Sequence, residues 1–175
     1  MACRPRRTRN PVPILLVTEP WVCGCEPSST PSRRPPPAPL ALLILDIAGF
    51  TRMSEDKPAE EVIELLREFQ RRMGAHIISC GGTIEKYVGD EIFAVFGLPD
   101  PSPHDAMNAL RCGKLMLDEL RVWNELRRTT GAEELKVGIG VNYGAAVIGD
   151  VGDGETFSFT VIGDTINVAS RLQTL

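Results

Sequence analysis

The chain of 175 residues has room for one ordinary domain plus a tail, and its 43% hydrophobic content is enough for a real core. Its net charge of -4 hides an asymmetry: residues 1–40 carry six arginines against two acids, whereas the rest carries 13 basic and 21 acidic side chains. That acidic balance speaks against a nucleic-acid surface, and no apolar run reaches the roughly 18–20 residues of a membrane span.

Residues 1–40 hold ten of the fourteen prolines, including Pro35-Pro36-Pro37, and are expected to form a disordered tail. The opening "MACRPRRTRN" and "VPILLV" faintly suggest a targeting peptide, but Pro13 interrupts the apolar stretch, so a linker or an upstream stretch is the preferred reading. The five cysteines (Cys3, Cys23, Cys25, Cys80, Cys112) are irregularly spaced, and Cys23-Gly-Cys25 is too tight for a zinc knuckle. They read as free thiols in a reducing compartment, which implies a cytoplasmic location.

A domain is expected over residues 41–175. "LALLILDIAGF" reads as a buried strand ending at Asp46, and Ala48-Gly49-Phe50-Thr51 turns into a helix. From Pro58, the residues Val62, Leu65, Leu66, Phe69, Met73 and Ile77 recur at helical spacing until Gly81-Gly82. "TIEKY" and "EIFAVF" flank Val88-Gly89-Asp90 as a hairpin, with both strands near the sheet centre beside the first strand. A second amphipathic helix runs from about His104 to Arg128, with Ala106, Leu110, Met116, Leu120 and Trp123 inward. "ELKVGIGVNYGAAVIGDVG" suggests two strands and a turn, "FSFTVIG" one more strand, and "DTINVASRLQTL" a final helix. The order β-α-β-β-α-β, then β, then helix defines an α+β class: a ferredoxin-like βαββαβ sheet-and-helix sandwich.

Within this frame Asp46 ends a strand after five apolar residues, so its carboxylate must be hydrogen-bonded, capping or holding a cation. The turn at Gly49, Phe50 and Thr51 presents helix-start amides that suit a phosphate. Asp90, in the hairpin turn, can approach Asp46, and two such carboxylates match a hard cation. Taken alone, each aspartate also reads as a helix cap or a turn residue. Asn167 and Arg171, four apart, share a face of the last helix, where an arginine suits phosphate oxygens and an asparagine a sugar. "GIGVNYG" lacks the GxGxxG spacing of a dinucleotide loop, there is no P-loop, and His76 and His104 have no partner at ligand spacing.

Four stretches together resemble the catalytic domain of class III nucleotidyl cyclases: "LILDIAGFT" (43–51), "GGTIEKYVGDEIFAVFG" (81–97), "VGIGVNYGAAVIGDVG" (137–152) and "FTVIGDTINVASRL" (159–172). The resemblance implies that Asp46 and Asp90 bind two metal ions, Mg2+ or Mn2+, with the backbone carbonyl of Ile47 as a further ligand. Lys86 falls where this family reads the purine, and Thr160, seven before Asn167, at the partner position. Lysine with threonine there resembles adenylate cyclases, since lysine donates to adenine N1, whereas guanylate cyclases typically place glutamate and cysteine.

Asn167 then looks like the ribose-positioning residue and Arg171 like the transition-state arginine. The implied reaction is attack of the ATP 3′-oxygen on the α-phosphorus, giving cyclic AMP and pyrophosphate. The family's site lies between two catalytic domains, so a homodimer with two sites is expected. The family's domain normally continues past this helix with further strands and a second polyphosphate-binding lysine. The chain stops at Leu175, which implies a domain lacking its last strands. Two rival readings stay open: a non-catalytic dimerising, nucleotide-binding module, and a guanylate cyclase. "VGDEIF" also echoes the turn of diguanylate cyclases, which lack the "TVIGDTINVASR" helix.

Overall fold

The computed structural model describes residues 37–152 and 157–174; most of the tail expected over residues 1–40, with Cys3, Cys23 and Cys25, lies outside the described residues. The elements run β1 (Ala38–Ile47), α1 (Phe50–Glu55), α2 (Ala59–Ser79), β2 (Thr83–Val88), β3 (Glu91–Phe96), α3 (Asp105–Thr129), β4 (Val137–Gly152), β5 (Phe157–Ile162) and α4 (Asp164–Gln173). β1 opens at Ala38, so the last three residues of the stretch read as tail belong to the strand.

β1 is apolar without alternation because both of its faces are covered. Ala41, Leu43, Leu45 and Ile47 pack in one core with Phe69, Met73 and Ile77 of α2 and Met116, Leu120 and Trp123 of α3. Leu40, Leu42 and Ile44 face the other way, into a second core with Val95, Ala146, Val161 and Ala169. The sheet order is β2-β3-β1-β4-β5. β1 pairs antiparallel with β3 (Ala41↔Phe96 to Leu45↔Ile92) and with β4 (Ala38↔Ala146 to Ile47↔Val137).

Three expectations are corrected. β2 is an edge strand, so only β3 of the hairpin adjoins β1. Leu110 is 56% exposed, whereas Ala109, Cys112, Gly113 and Met116 are buried: the inward stripe of α3 lies one residue away from Leu110, about 100° around the helix. The segment read as two strands and a turn is one strand of 16 residues, β4, whose first ten residues pair with β1 and whose last six pair with β5.

The glycines that suggested a turn in β4 instead make a seat for α4. Gly138, Gly140 and Gly144 fall on one face of the strand. A Cβ at Gly140 would overlap the Ala169 carbonyl oxygen, one at Gly138 the Gln173 carbonyl oxygen, and one at Gly144 would lie 2.8 Å from the Thr165 hydroxyl. Asn142, on the same face, donates from Nδ2 to the Thr165 carbonyl at 3.0 Å and fixes the helix along the strand. Gly140→Ala is therefore expected to push α4 off β4 and lower stability by about 1–3 kcal/mol in denaturant titration. Gly149→Ala, with nothing within 4 Å of its Cβ, should leave the midpoint in place.

Candidate active site

Asp46 is at the end of β1, on the face that carries the second core, and Asp90 stands in the two-residue turn between β2 and β3. Gly89 enables that turn with φ 62°, a conformation that side chains disfavour. The Ile47 N–H donates to Asp90 Oδ2 at 3.2 Å, which ties the hairpin tip to the strand end. The Asp90 carboxyl stands beside that of Asp46. Burial, the Asp90 carboxyl beside it and the charge of Glu91 push Asp46 up to about 7. Burial and Asp90 raise Glu91 as well. From the other side, Gln173 Nε2 of α4 donates to Asp46 Oδ2 at 3.3 Å.

The sign of this shift gives a test. The Asp46 carboxyl binds its proton more tightly folded than unfolded, so its contribution to stability is full below about pH 4 and is lost as pH rises through about 7. In chelator, Asp46→Asn should melt above wild type at pH 8, and the gap should narrow as pH falls and close below about pH 4. Added Mn2+ should reverse the order at pH 8, because only the wild-type pair offers it two carboxylates. A pH-independent difference between the two proteins would contradict the assignment.

A cleft of about 530 Å³ opens at the entry to α1, lined by Ile47, Ala48 and Gly49. Its lining also includes the cations Arg52, Lys57 and Lys136 and the acids Asp56, Glu133 and Glu134. Sequence reasoning missed these three cations. Lys136 is 88 residues from Ala48, and only the β1–β4 pairing brings its carbonyl to within 2.8 Å of the Ala48 N–H. Phe50 packs on the first core, and Thr51 is exposed on α1.

Lys86 and Thr160 are brought together at Glu85. Lys86 Nζ lies 5.0 Å from the Phe93 ring centroid, and Phe93 packs in the second core. Both Lys86 Nζ and Thr160 Oγ1 contact Glu85 Oε1, at 3.3 and 3.0 Å. Asn167 and Arg171 are exposed on α4. Arg171 Nε donates to the Asn167 carbonyl at 3.2 Å, and its Nη2 lies 3.6 Å from Asp164 Oδ1. The polar contacts of Arg171 among the described residues thus stay within α4, and its side chain is 73% exposed.

Cys80 and Cys112, the two cysteines among the described residues, are both free; burial and the neighbouring Cys80 push the Cys112 thiol up to about 12. No helix among the described residues is long and apolar enough to cross a membrane.

An antiparallel five-stranded sheet with a carboxylate pair at the end of its central strand is the frame of a nucleotide-cyclising domain, and comparison with known proteins agrees. The chain belongs to the adenylate and guanylate cyclase catalytic domain family, whose profile matches residues 35–175. It is 35% identical over 131 residues to adenylate cyclase 1 of Rhizobium meliloti (strain 1021), covering 75% of this chain and 20% of that protein. It is 39% identical over 140 residues to an adenylate cyclase of Anabaena cylindrica, covering 78% and 27%. The chain therefore spans about a fifth to just over a quarter of the length of these curated relatives. The crystal structure of the guanylyl cyclase Cya2 is similar at a TM-score of 0.75 and 33% identity, covering 81% of this chain and 72% of that one.

Proposed function

We propose that this chain is an adenylate cyclase catalytic domain, closing ATP to 3′,5′-cyclic AMP with release of pyrophosphate. The observation that supports this reading best is the presence of two clusters, Asp46 beside Asp90 and Lys86 with Thr160 on the Glu85 carboxylate.

The carboxylate pair fits divalent cations. Burial and the neighbouring Asp90 raise Asp46 to about 7, a cost that positive charge beside the pair would relieve. Among the described residues no three His, Cys, Asp or Glu side chains converge as a cage. A two-carboxylate set is what magnesium takes when substrate phosphates and water complete its shell. Asp46 and Asp90, with the Ile47 carbonyl, would hold two Mg2+ or Mn2+. Such ions, when bound, lower the pKa of the ribose 3′-hydroxyl and offset polyphosphate charge.

The chain's own groups supply the rest. Backbone N–H groups at Gly49, Phe50 and Thr51 face the polyphosphate, and Arg52, Lys57 and Lys136 add positive charge in the adjoining cleft. Lys86 donates to adenine N1, an acceptor, and Thr160 accepts from the 6-amino group. Asn167 orients the ribose, while Arg171 meets charge developing on the α-phosphoryl group. Because Asn167 and Arg171 face outward on α4, they serve the carboxylates of a second copy, giving a symmetric homodimer with two composite sites.

The purine reading is tested by replacing Lys86→Glu together with Thr160→Cys. The ratio of cyclic AMP to cyclic GMP formed should fall about 100-fold, roughly tenfold for each contact changed. An unchanged ratio would remove Lys86 and Thr160 from purine recognition.

A further inference from the structure

Glu85 has no assigned role, yet it is the group on which both proposed purine readers converge. The β2–β3 ladder steps from Ile84↔Ala94 directly to Lys86↔Phe93, so Glu85 is the extra residue of a β-bulge. A bulge breaks the alternation of side chains and re-aims one of them. Here the Glu85 side chain is only 3% exposed, and it reaches β5 although β2 and β5 are opposite edges of the sheet order. Its Oε1 accepts from the Thr160 hydroxyl at 3.0 Å and from the Val161 N–H at 3.2 Å, and it stands 3.3 Å from Lys86 Nζ.

We propose that Glu85 is a positioning residue that sets purine specificity by fixing the Thr160 hydroxyl as a hydrogen-bond acceptor; this rests on the adenylate cyclase reading of the same site. A threonine hydroxyl has one proton and two lone pairs, and a free rotor can offer either to a ligand. With the proton held by Glu85, Thr160 can turn only lone pairs to the purine. Lys86 beside it has only donors. The pair then reads a 6-amino group and an unprotonated N1, the edge of adenine. A guanine edge, with its 6-oxo acceptor and N1–H donor, is mismatched at both positions. Without Glu85 the hydroxyl can rotate and donate to a 6-oxo group, so one of the two mismatches disappears. The backbone N–H of Val161 can only donate, which keeps the acceptor oxygen of residue 85 turned to this corner.

The test uses the full chain and 3′-deoxy-ATP and 3′-deoxy-GTP, which lack the attacking hydroxyl, with binding measured by calorimetry in Mn2+. In Glu85→Leu the preference for the adenine nucleotide should fall about tenfold, the scale of one hydrogen-bond mismatch, chiefly through tighter guanine binding. In Glu85→Gln the amide oxygen stays on the Val161 and Thr160 donors, and the preference should stay within about threefold of wild type. A merely structural tie between β2 and β5 would weaken both nucleotides equally; that result, or an unchanged ratio in Glu85→Leu, overturns the proposal. A wild-type chain without adenine preference overturns it together with the adenylate reading, whereas wild-type preference that survives in Glu85→Leu overturns the role of Glu85 alone. A second measurement does not depend on the folding of Glu85→Leu: the Thr160 hydroxyl proton should be slowly exchanging by NMR with and without bound 3′-deoxy-ATP. Its release from Glu85 when that nucleotide binds would also overturn the proposal.

Discussion

Asp90→Asn is expected to lower cyclic AMP formation by at least about 1,000-fold while leaving the fold intact. Losing an outer partner of a metal site costs about 10–100-fold, and Asp90 is assigned to the metal itself. The asparagine keeps an oxygen for the Ile47 N–H that Asp90 Oδ2 accepts at 3.2 Å, so the hairpin tip stays tied to β1. Asp90→Ala removes that acceptor and should add a loss of melting temperature to the same loss of turnover. Asp46→Asn should match Asp90→Asn in turnover. Rates within tenfold of wild type in either asparagine variant, read as cyclic AMP formed from ATP and Mn2+, would contradict the two-carboxylate site.

The second large effect concerns assembly. Arg171→Ala alone should be as inactive as Asp90→Asn alone, since each removes one half of every composite site. Mixed in equal amounts and allowed to exchange, the two variants should recover about a quarter of wild-type activity: half the dimers are mixed, and each has one of its two sites intact. Arg171 makes its polar contacts within α4, so removing it should leave the protomer folded. A mixture no more active than its components would show that one protomer provides both halves.

The sequence pattern goes far toward this architecture where a residue's role is local. The unbroken run from Leu40 to Leu45 marks a strand covered on both faces, and Gly89-Asp90 between two apolar runs marks the hairpin whose tip meets Asp46. It misleads where the reason for a residue lies far along the chain. Gly138 and Gly140 look like turn formers, but they are small because the carbonyls of Gln173 and Ala169 press on them. Leu110 fits an apolar stripe by type yet falls out of phase with Ala109, Cys112 and Met116. Glu85 is the sharpest case. Only the one-residue shift between Ile84 and Lys86 turns its carboxylate inward, and nothing in "TIEKY" announces a bulge. Lys136 belongs to the same class, since its place beside Ala48 depends on the β1–β4 register.

The cleft cations also shape the expected response to salt. Arg52, Lys57 and Lys136 sit among Asp56, Glu133 and Glu134, so their pull on a polyphosphate acts at short range within the cleft.

The most direct test is mass analysis of the products formed when the chain is given equimolar ATP and GTP with Mn2+. The site predicts cyclic AMP and pyrophosphate, with cyclic AMP exceeding cyclic GMP by at least about tenfold, the scale of one mismatched hydrogen bond. Cyclic GMP as the main product, or ATP bound but returned unchanged, would contradict it.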